Sequence, residues 1–225
     1  MILKRPFTRS TALKTLVKPK NFLRIEVLRD RPRRTIKLWQ PKYTSDILAR
    51  FELPNFGLVT IPTYPTDFAQ LSKDKYPESK EAKAAAALYP YRQLIGSLMY
   101  LMIGTLPDLA QPLSVLSQFF INPGRVHWDA ALRLLAYVKA TSQVGLRYTG
   151  ETAGTLPKII GTSDASWATH ADDCTSQAGA FFNLCGAAVS WRSYRIKKVV
   201  LQVVFGASAP SNKARMPSRI LGLSF

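Results

Sequence analysis

The chain has 225 residues, 47% of them apolar and 11% aromatic, which excludes a wholly disordered polymer and leaves room for one or two domains with hydrophobic cores. The formal net charge is +17, and residues 1–50 carry 14 Lys/Arg against 3 Asp/Glu, so the basic character is mostly an N-terminal property that draws polyanions, nucleic acid backbone first among them. Two cysteines, Cys174 and Cys185, are too few for a disulfide framework, and the longest apolar run, Leu94 to Gly104, is about half of what a bilayer span needs.

The first 25 residues contain no acid and several Arg, Lys, Ser and Thr, a composition shared with mitochondrial transit peptides. Pro6 and Pro19 argue against an amphipathic targeting helix, and residues 1–20 read as a basic leader without regular structure. Phe22 to Val27 alternates as a strand. Thr35 to Trp39 alternates again after a turn-like Arg-Asp-Arg-Pro-Arg-Arg stretch at 29–34, which predicts a β-hairpin with a basic loop. Arg29, Arg31, Arg33 and Arg34 in that loop are candidate phosphate ligands, because guanidinium groups pair with phosphate oxygens without reading sequence.

Pro41 closes the second strand, and Tyr43, Ile47, Leu48 and Phe51 follow at helical spacing. Asn55 to Asp67, with Pro62, Pro65 and Gly57, reads as an extended connector. Ser79 to Gly104 is rich in helix formers, and Pro90 splits it into two helices, the second apolar on almost every side and therefore expected to be buried. Pro107 and Asp108 open another helix through Leu109, Leu113, Leu116 and Phe120, ended by Asn122-Pro123-Gly124. Trp128 to Ala140 carries Leu132, Leu135 and Ala136 at intervals of three and four, so a small helical unit is expected here.

After residue 144 the pattern changes. Gly145–Tyr148, Ile159–Ser163, Gly179–Leu184 and Ala187–Trp191 read as strands, with a hairpin turn around Gly186. Ile159 and Ile160 are expected to lie in a buried strand ending at Asp164, a place to hold a metal if other carboxylates join it. His127 and His170 have no acid or thiol at ligand spacing and read as surface or packing residues. Tyr91, Tyr100, Trp128 and Tyr137 fit core packing better than base stacking. No Gly-x-Ser-x-Gly elbow accompanies the serines near Asp164.

Taken together, these residues resemble the Pol polyprotein of copia-type LTR retrotransposons, at the end of the reverse transcriptase region and the start of the ribonuclease H domain. The resemblance runs from about residue 20 to about residue 200. It is carried by Phe22-Leu23-Arg24-Ile25-Glu26-Val27, by Tyr91 to Leu101 (Tyr-Arg-Gln-Leu-Ile-Gly-Ser-Leu-Met-Tyr-Leu), by Thr105-Leu106-Pro107-Asp108-Leu109-Ala110 and by His127-Trp128 with Leu132 to Lys139. Ser163-Asp164-Ala165-Ser166-Trp167-Ala168 and Ala188 to Ser193 complete it. Arg24 stands where the family has Gly, and Leu106 where it has Arg.

The resemblance implies an α+β chain: the last strands of a reverse transcriptase palm and a helical thumb or connection over 21–144, a partial ribonuclease H-like α/β domain over 145–200, and a divergent tail over 201–225. It also implies RNA or DNA as sequence-independent partners, Mg²⁺ as the parent family's cofactor, and a cytoplasmic or nuclear setting. Asp164 takes the place of the first ribonuclease H carboxylate. Two-metal hydrolysis needs several carboxylates around two ions about 4 Å apart, and the family's next one, a Glu, is expected about a dozen residues past the Trp191-Arg192-Ser193 strand. No Glu occurs from 152 to 225, and the last acid is Asp173. The match fades near Lys197, as after a frameshift or a wrong splice. The paired-Asp motif of the polymerase would lie upstream of Phe22, and Asp172-Asp173 reads as an exposed turn without that role. The expectation is a degenerate Pol fragment, inactive in both reactions, with residual nucleic acid affinity. Two alternatives stay open: a section of an active polymerase and ribonuclease H, and a basic nucleic-acid-binding interaction module.

Overall fold

The computed structural model describes residues 20–63, 71–150, 157–166, 172–173 and 175–196. The basic leader and the divergent tail, apart from Lys20, lie outside the described residues, as do His170 and Cys174. Within them the chain is α+β, with two antiparallel sheets and a helical unit.

The first sheet has the order β1 (Asn21–Phe22), β2 (Ile25–Asp30), β3 (Thr35–Trp39) and β4 (Leu146–Thr149). The strand expected over Phe22 to Val27 is interrupted: Phe22 pairs with Ile25, and Leu23 and Arg24 form a two-residue turn with φ of 51° and 60°. That is the left-handed backbone that glycine adopts without steric cost, so the structure gives a physical meaning to an Arg at the position where the family has Gly. A second turn spans residues 31–34, where the Arg34 N–H donates to the Arg31 carbonyl (3.1 Å) and Arg34 has φ 52°. Strand β4 was grouped by sequence with the strands that follow it, yet it pairs with β3, Leu38 opposite Leu146 and Lys37 opposite Arg147.

Pro41 starts α1 (Pro41–Arg50), where its missing N–H and fixed φ suit the first helical turn. After a stretch without regular structure come a 3₁₀ turn (Lys73–Lys75) and α2 (Lys80–Ala87), capped by Ser79, whose Oγ accepts from the Ala82 N–H at 3.1 Å. Helix α3 (Tyr91–Gly104) begins after Pro90, but it is not buried on all sides. Tyr91, Leu94, Ile95, Leu98 and Leu101 form its buried stripe, whereas Ile103 is 69% exposed. Spacing of three and four, rather than total hydrophobicity, decides which residues face the core.

The helix expected from Pro107 to Phe120 is broken into a 3₁₀ turn (Pro107–Leu109), α4 (Ala110–Leu116) and a second 3₁₀ turn (Ser117–Phe119). Pro112, which has no N–H to give, sits inside it. Helix α5 (Arg125–Ala140) starts at Gly124, where a Cβ would stand 2.2 Å from the Lys75 carbonyl oxygen, so only glycine permits this approach. Helices α1, α3, α4 and α5 share one core in which Leu94, Leu98, Leu109, Leu113 and Leu134 are fully buried. Burying each such side chain contributes about 1.5–3 kcal/mol.

The second sheet is a meander of β5 (Ile159–Ser166), β6 (Ser176–Leu184) and β7 (Ala187–Ile196). Cys185 and Gly186, with φ of 53° and 85°, make the tight turn between β6 and β7. This sheet rests on the helical unit. Gln177 Nε2 donates to the hydroxyls of Ser114 (3.0 Å) and Ser193 (2.7 Å), Arg195 donates to Gln118 Oε1 (2.9 Å), and the Trp191 indole N–H donates to the Met102 carbonyl (3.1 Å). A small second core of Leu146, Ala187 and Ala188, with Leu38, Tyr148 and Trp191 against it, joins the two sheets.

Candidate functional site

Asp164 is neither buried nor at a strand end. It is the sixth of eight residues in β5, it is exposed, and Ile159 and Ile160 beside it are 67% and 62% exposed. The reason is position: among the described residues β5 is the edge of its sheet and has β6 as its only strand neighbour, so its β-branched residues reflect extended backbone rather than core. The register sets Asp164 opposite Gly179, and Gly179 opposite Ser193, so the carboxylate, a glycine and a hydroxyl lie in a row on one face. Its Oδ1 accepts from the Ala165 N–H at 2.8 Å.

That face forms one wall of a cleft of about 800 Å³ between the second sheet and the helical unit. The other wall includes Leu71, Pro107, Asp108, Gln111 and Val115. Asp108 thus brings a second carboxylate to the cleft, one that sequence reasoning did not single out as a site residue, since no spacing pattern ties it to Asp164. Its Oδ2 accepts from the Tyr137 hydroxyl, and burial, then this contact, pushes the Tyr137 phenol well above its ordinary value. Asp172 and Asp173 sit in an exposed turn. Asp172 accepts from the Lys73 N–H at 2.9 Å, while Asp173 pairs with Arg195 and accepts from the Thr175 hydroxyl at 2.8 Å.

The donor set does not fit a pair of Mg²⁺ ions. Among the described residues no three His, Cys, Asp or Glu side chains come together as a metal group. The two acids of the cleft stand on opposite walls, and Asp108 is already engaged with Tyr137. Two-metal chemistry requires carboxylates that bridge ions about 4 Å apart.

The four arginines are not one cluster. Arg31, Arg33 and Arg34 lie in the exposed turn, and Arg33 is tied to Asp30, its N–H donating to Oδ1 at 3.0 Å with an ion pair at 3.8 Å. Arg29 belongs to β2 and pairs with Ile36, which pairs with Tyr148, so its side chain is on the sheet face that carries Val27, Leu38 and Leu146.

His127 is fully buried at the first turn of α5, its Nδ1 accepting from the Gly124 N–H at 3.0 Å and its ring 4.1 Å from Phe119. Burial lowers its pKa below the ordinary histidine value, and the nearby Ser72 backbone and Asp172 oppose this. Cys185 is a free thiol in the β6–β7 turn. Tyr91 is 1% exposed and Tyr137 8%, both core residues; Trp128 stacks on Tyr89 with centroids 5.4 Å apart, and Tyr100, 38% exposed, donates to the Leu23 carbonyl at 2.6 Å. No helix among the described residues is long and apolar enough to cross a membrane.

An α+β chain with a basic hairpin and a carboxylate on an open-edged sheet is the class these observations define. No family model matches the chain, and no solved structure matches it. It is 35% identical over 199 residues to the "Retrovirus-related Pol polyprotein from transposon TNT 1-94" of Nicotiana tabacum, covering 88% of this chain and 14% of that protein. It is 33% identical over 166 residues to the "Retrovirus-related Pol polyprotein from transposon RE2" of Arabidopsis thaliana, covering 73% of this chain and 10% of that one. It is also 45% identical over 112 residues to "Secreted RxLR effector protein 161" of Plasmopara viticola, covering 50% of this chain and 77% of the effector. The chain belongs to the retrovirus-related Pol polyproteins of copia-type transposons and is a Pol-derived fragment, spanning about a seventh of the tobacco relative's length.

Proposed function

We propose that this chain derives from the end of a reverse transcriptase region (21–144) and the first part of a ribonuclease H-like domain (145–200), has no hydrolytic activity of its own, and retains sequence-independent affinity for RNA and DNA. The observation that carries this reading is the isolation of Asp164. By the resemblance it takes the place of the first ribonuclease H carboxylate; among the described residues no three metal-ligating side chains come together, and the other acid of its cleft, Asp108, is engaged by Tyr137. A helical unit with its own sheet and a separate three-stranded sheet support a reading as two regions, with β4 (Leu146–Thr149), from the ribonuclease H side of residue 145, crossing back to complete the first sheet. The exposed Arg31, Arg33 and Arg34, together with the basic first 50 residues, support backbone binding.

The test is to incubate the full chain with an RNA–DNA hybrid in Mg²⁺ at 50 and 200 mM salt. The expected result is no cleavage above buffer, with retention of the hybrid that falls at least tenfold across the salt step, as about two or more neutralised phosphates require. Cleavage that Asp164→Asn abolishes would overturn the inactive reading. Binding insensitive to salt would overturn the electrostatic one.

A further inference from the structure

The outer face of the first sheet holds cations that neither the charge run nor the resemblance singled out. In an antiparallel sheet, residues directly opposite share a face. Lys37 on β3 is directly opposite Arg147 on β4, and one step further along the same face Thr35 is opposite Thr149. Alternate residues are about 7 Å apart along a strand, and the turn that carries Arg31, Arg33 and Arg34 begins directly beyond the Asp30–Thr35 pair, so it adjoins this end of the face. The Gly150 N–H donates to the Arg34 carbonyl at 2.7 Å, which pins the end of β4 to the turn and holds Arg147 and the turn as one surface.

Two like charges directly opposite each other destabilise a sheet, so the fold gains nothing from this pair. Lys37 is steadied by the Gln143 carbonyl (2.9 Å) and by the Trp39 ring, 4.0 Å away. Arg147 is exposed and has no acid partner among the described residues. Two acids lie on this face: Glu26, opposite Trp39, and Asp30, which is held by Arg33. An arrangement that costs the sheet stability and leaves an arginine unpaired is resolved by an anion lying along it.

We propose that Lys37 and Arg147 extend the hairpin arginines into a phosphate track across the outer face of the first sheet, and that its occupant is the sugar–phosphate backbone of a nucleic acid strand. This rests on the nucleic-acid-binding reading above and adds a site to it: one strand of phosphates crosses β3 and β4 next to the turn. Thr35 and Thr149 supply hydroxyl donors between the cations.

The test measures binding of the full chain to the RNA–DNA hybrid across a salt series for Arg147→Gln, Arg147→Lys, the triple variant Arg31→Gln/Arg33→Gln/Arg34→Gln, and Lys83→Gln on the exposed α2. Arg147→Gln is expected to lower the log–log salt slope by about 0.9, so that the step from 50 to 200 mM costs about 3.5-fold less affinity than in the parent. Arg147→Lys and Lys83→Gln are expected to keep the parent slope. If the triple variant lowers the slope while Arg147→Gln keeps it, the sheet track is wrong and the hairpin reading stands. If neither variant changes it, both fall. Equal losses in Arg147→Gln and Arg147→Lys overturn the electrostatic role of Arg147.

Discussion

Tyr91 is the residue whose removal tests the helical core most directly. It is 1% exposed, its hydroxyl donates to the Leu116 carbonyl at 2.8 Å, and its ring meets Phe120 edge-on at 6.3 Å. Burial first, and Tyr76 second, pushes its pKa well above the ordinary value of 10.0. The folded chain therefore keeps a proton that the unfolded chain releases near pH 10. Because the folded value is the raised one, this stabilising term is complete below pH 10 and is lost as pH climbs above it. At pH 11 the unfolded state gains about 1.4 kcal/mol from ionising this one phenol. Tyr91→Phe removes that loss but leaves the Leu116 carbonyl without its donor, a cost of about 1 kcal/mol at any pH. The variant is thus expected to be about 1 kcal/mol less stable than the parent at pH 8 and equal or slightly more stable at pH 11. Urea unfolding followed by tryptophan fluorescence at pH 8, 10 and 11 reads the gap. A gap that stays constant from pH 8 to 11 would refute the argument, because it would mean that the phenol titrates alike in both states.

Replacing Leu23-Arg24 by Asn-Gly should raise the thermal midpoint by at least about 2–4 °C. Relief of two left-handed residues, about 1–2 kcal/mol each, outweighs loss of the exposed Arg24–Asp46 pair at 3.4 Å, which is worth at most about 1 kcal/mol; a lowered midpoint would contradict the turn geometry. His127 predicts acid sensitivity of the opposite sign to Tyr91. Its folded pKa is lowered by burial, so its contribution is present above about pH 6.5 and is lost as pH falls below that. His127→Gln should flatten the fall in thermal midpoint between pH 7.5 and 5.5, and an unchanged fall would remove His127 as its source.

Local chemistry was the part of this protein most readable before any coordinates. Pro41 and Pro90 mark helix starts because proline suits a first turn and breaks a longer run. Gly186 marks the β6–β7 turn because φ of 85° suits glycine. The order of motifs was enough to recognise the Pol family, and the want of any Glu after residue 151 was visible in the residues themselves. Less was readable wherever burial depends on neighbours distant in sequence. Ile159 and Ile160 look like core residues, yet they lie exposed on an edge strand whose outer side takes no partner among the described strands.

Sequence alone determined the family, the basic first 50 residues and the single carboxylate on β5, because each is a property of residue identity and short spacing. Only the tertiary structure decided that β4 returns to pair with β3, that Arg147 consequently stands opposite Lys37, that Arg29 lies on the other face from that pair, and that Asp108 shares a cleft with Asp164. The physical reason is common to all four. Strand pairing and the packing of a sheet on a helix are set by which apolar surfaces can be covered at once, and the covering of Leu38, Tyr148 and Trp191 around Leu146 and Ala188 draws together segments that no local pattern connects.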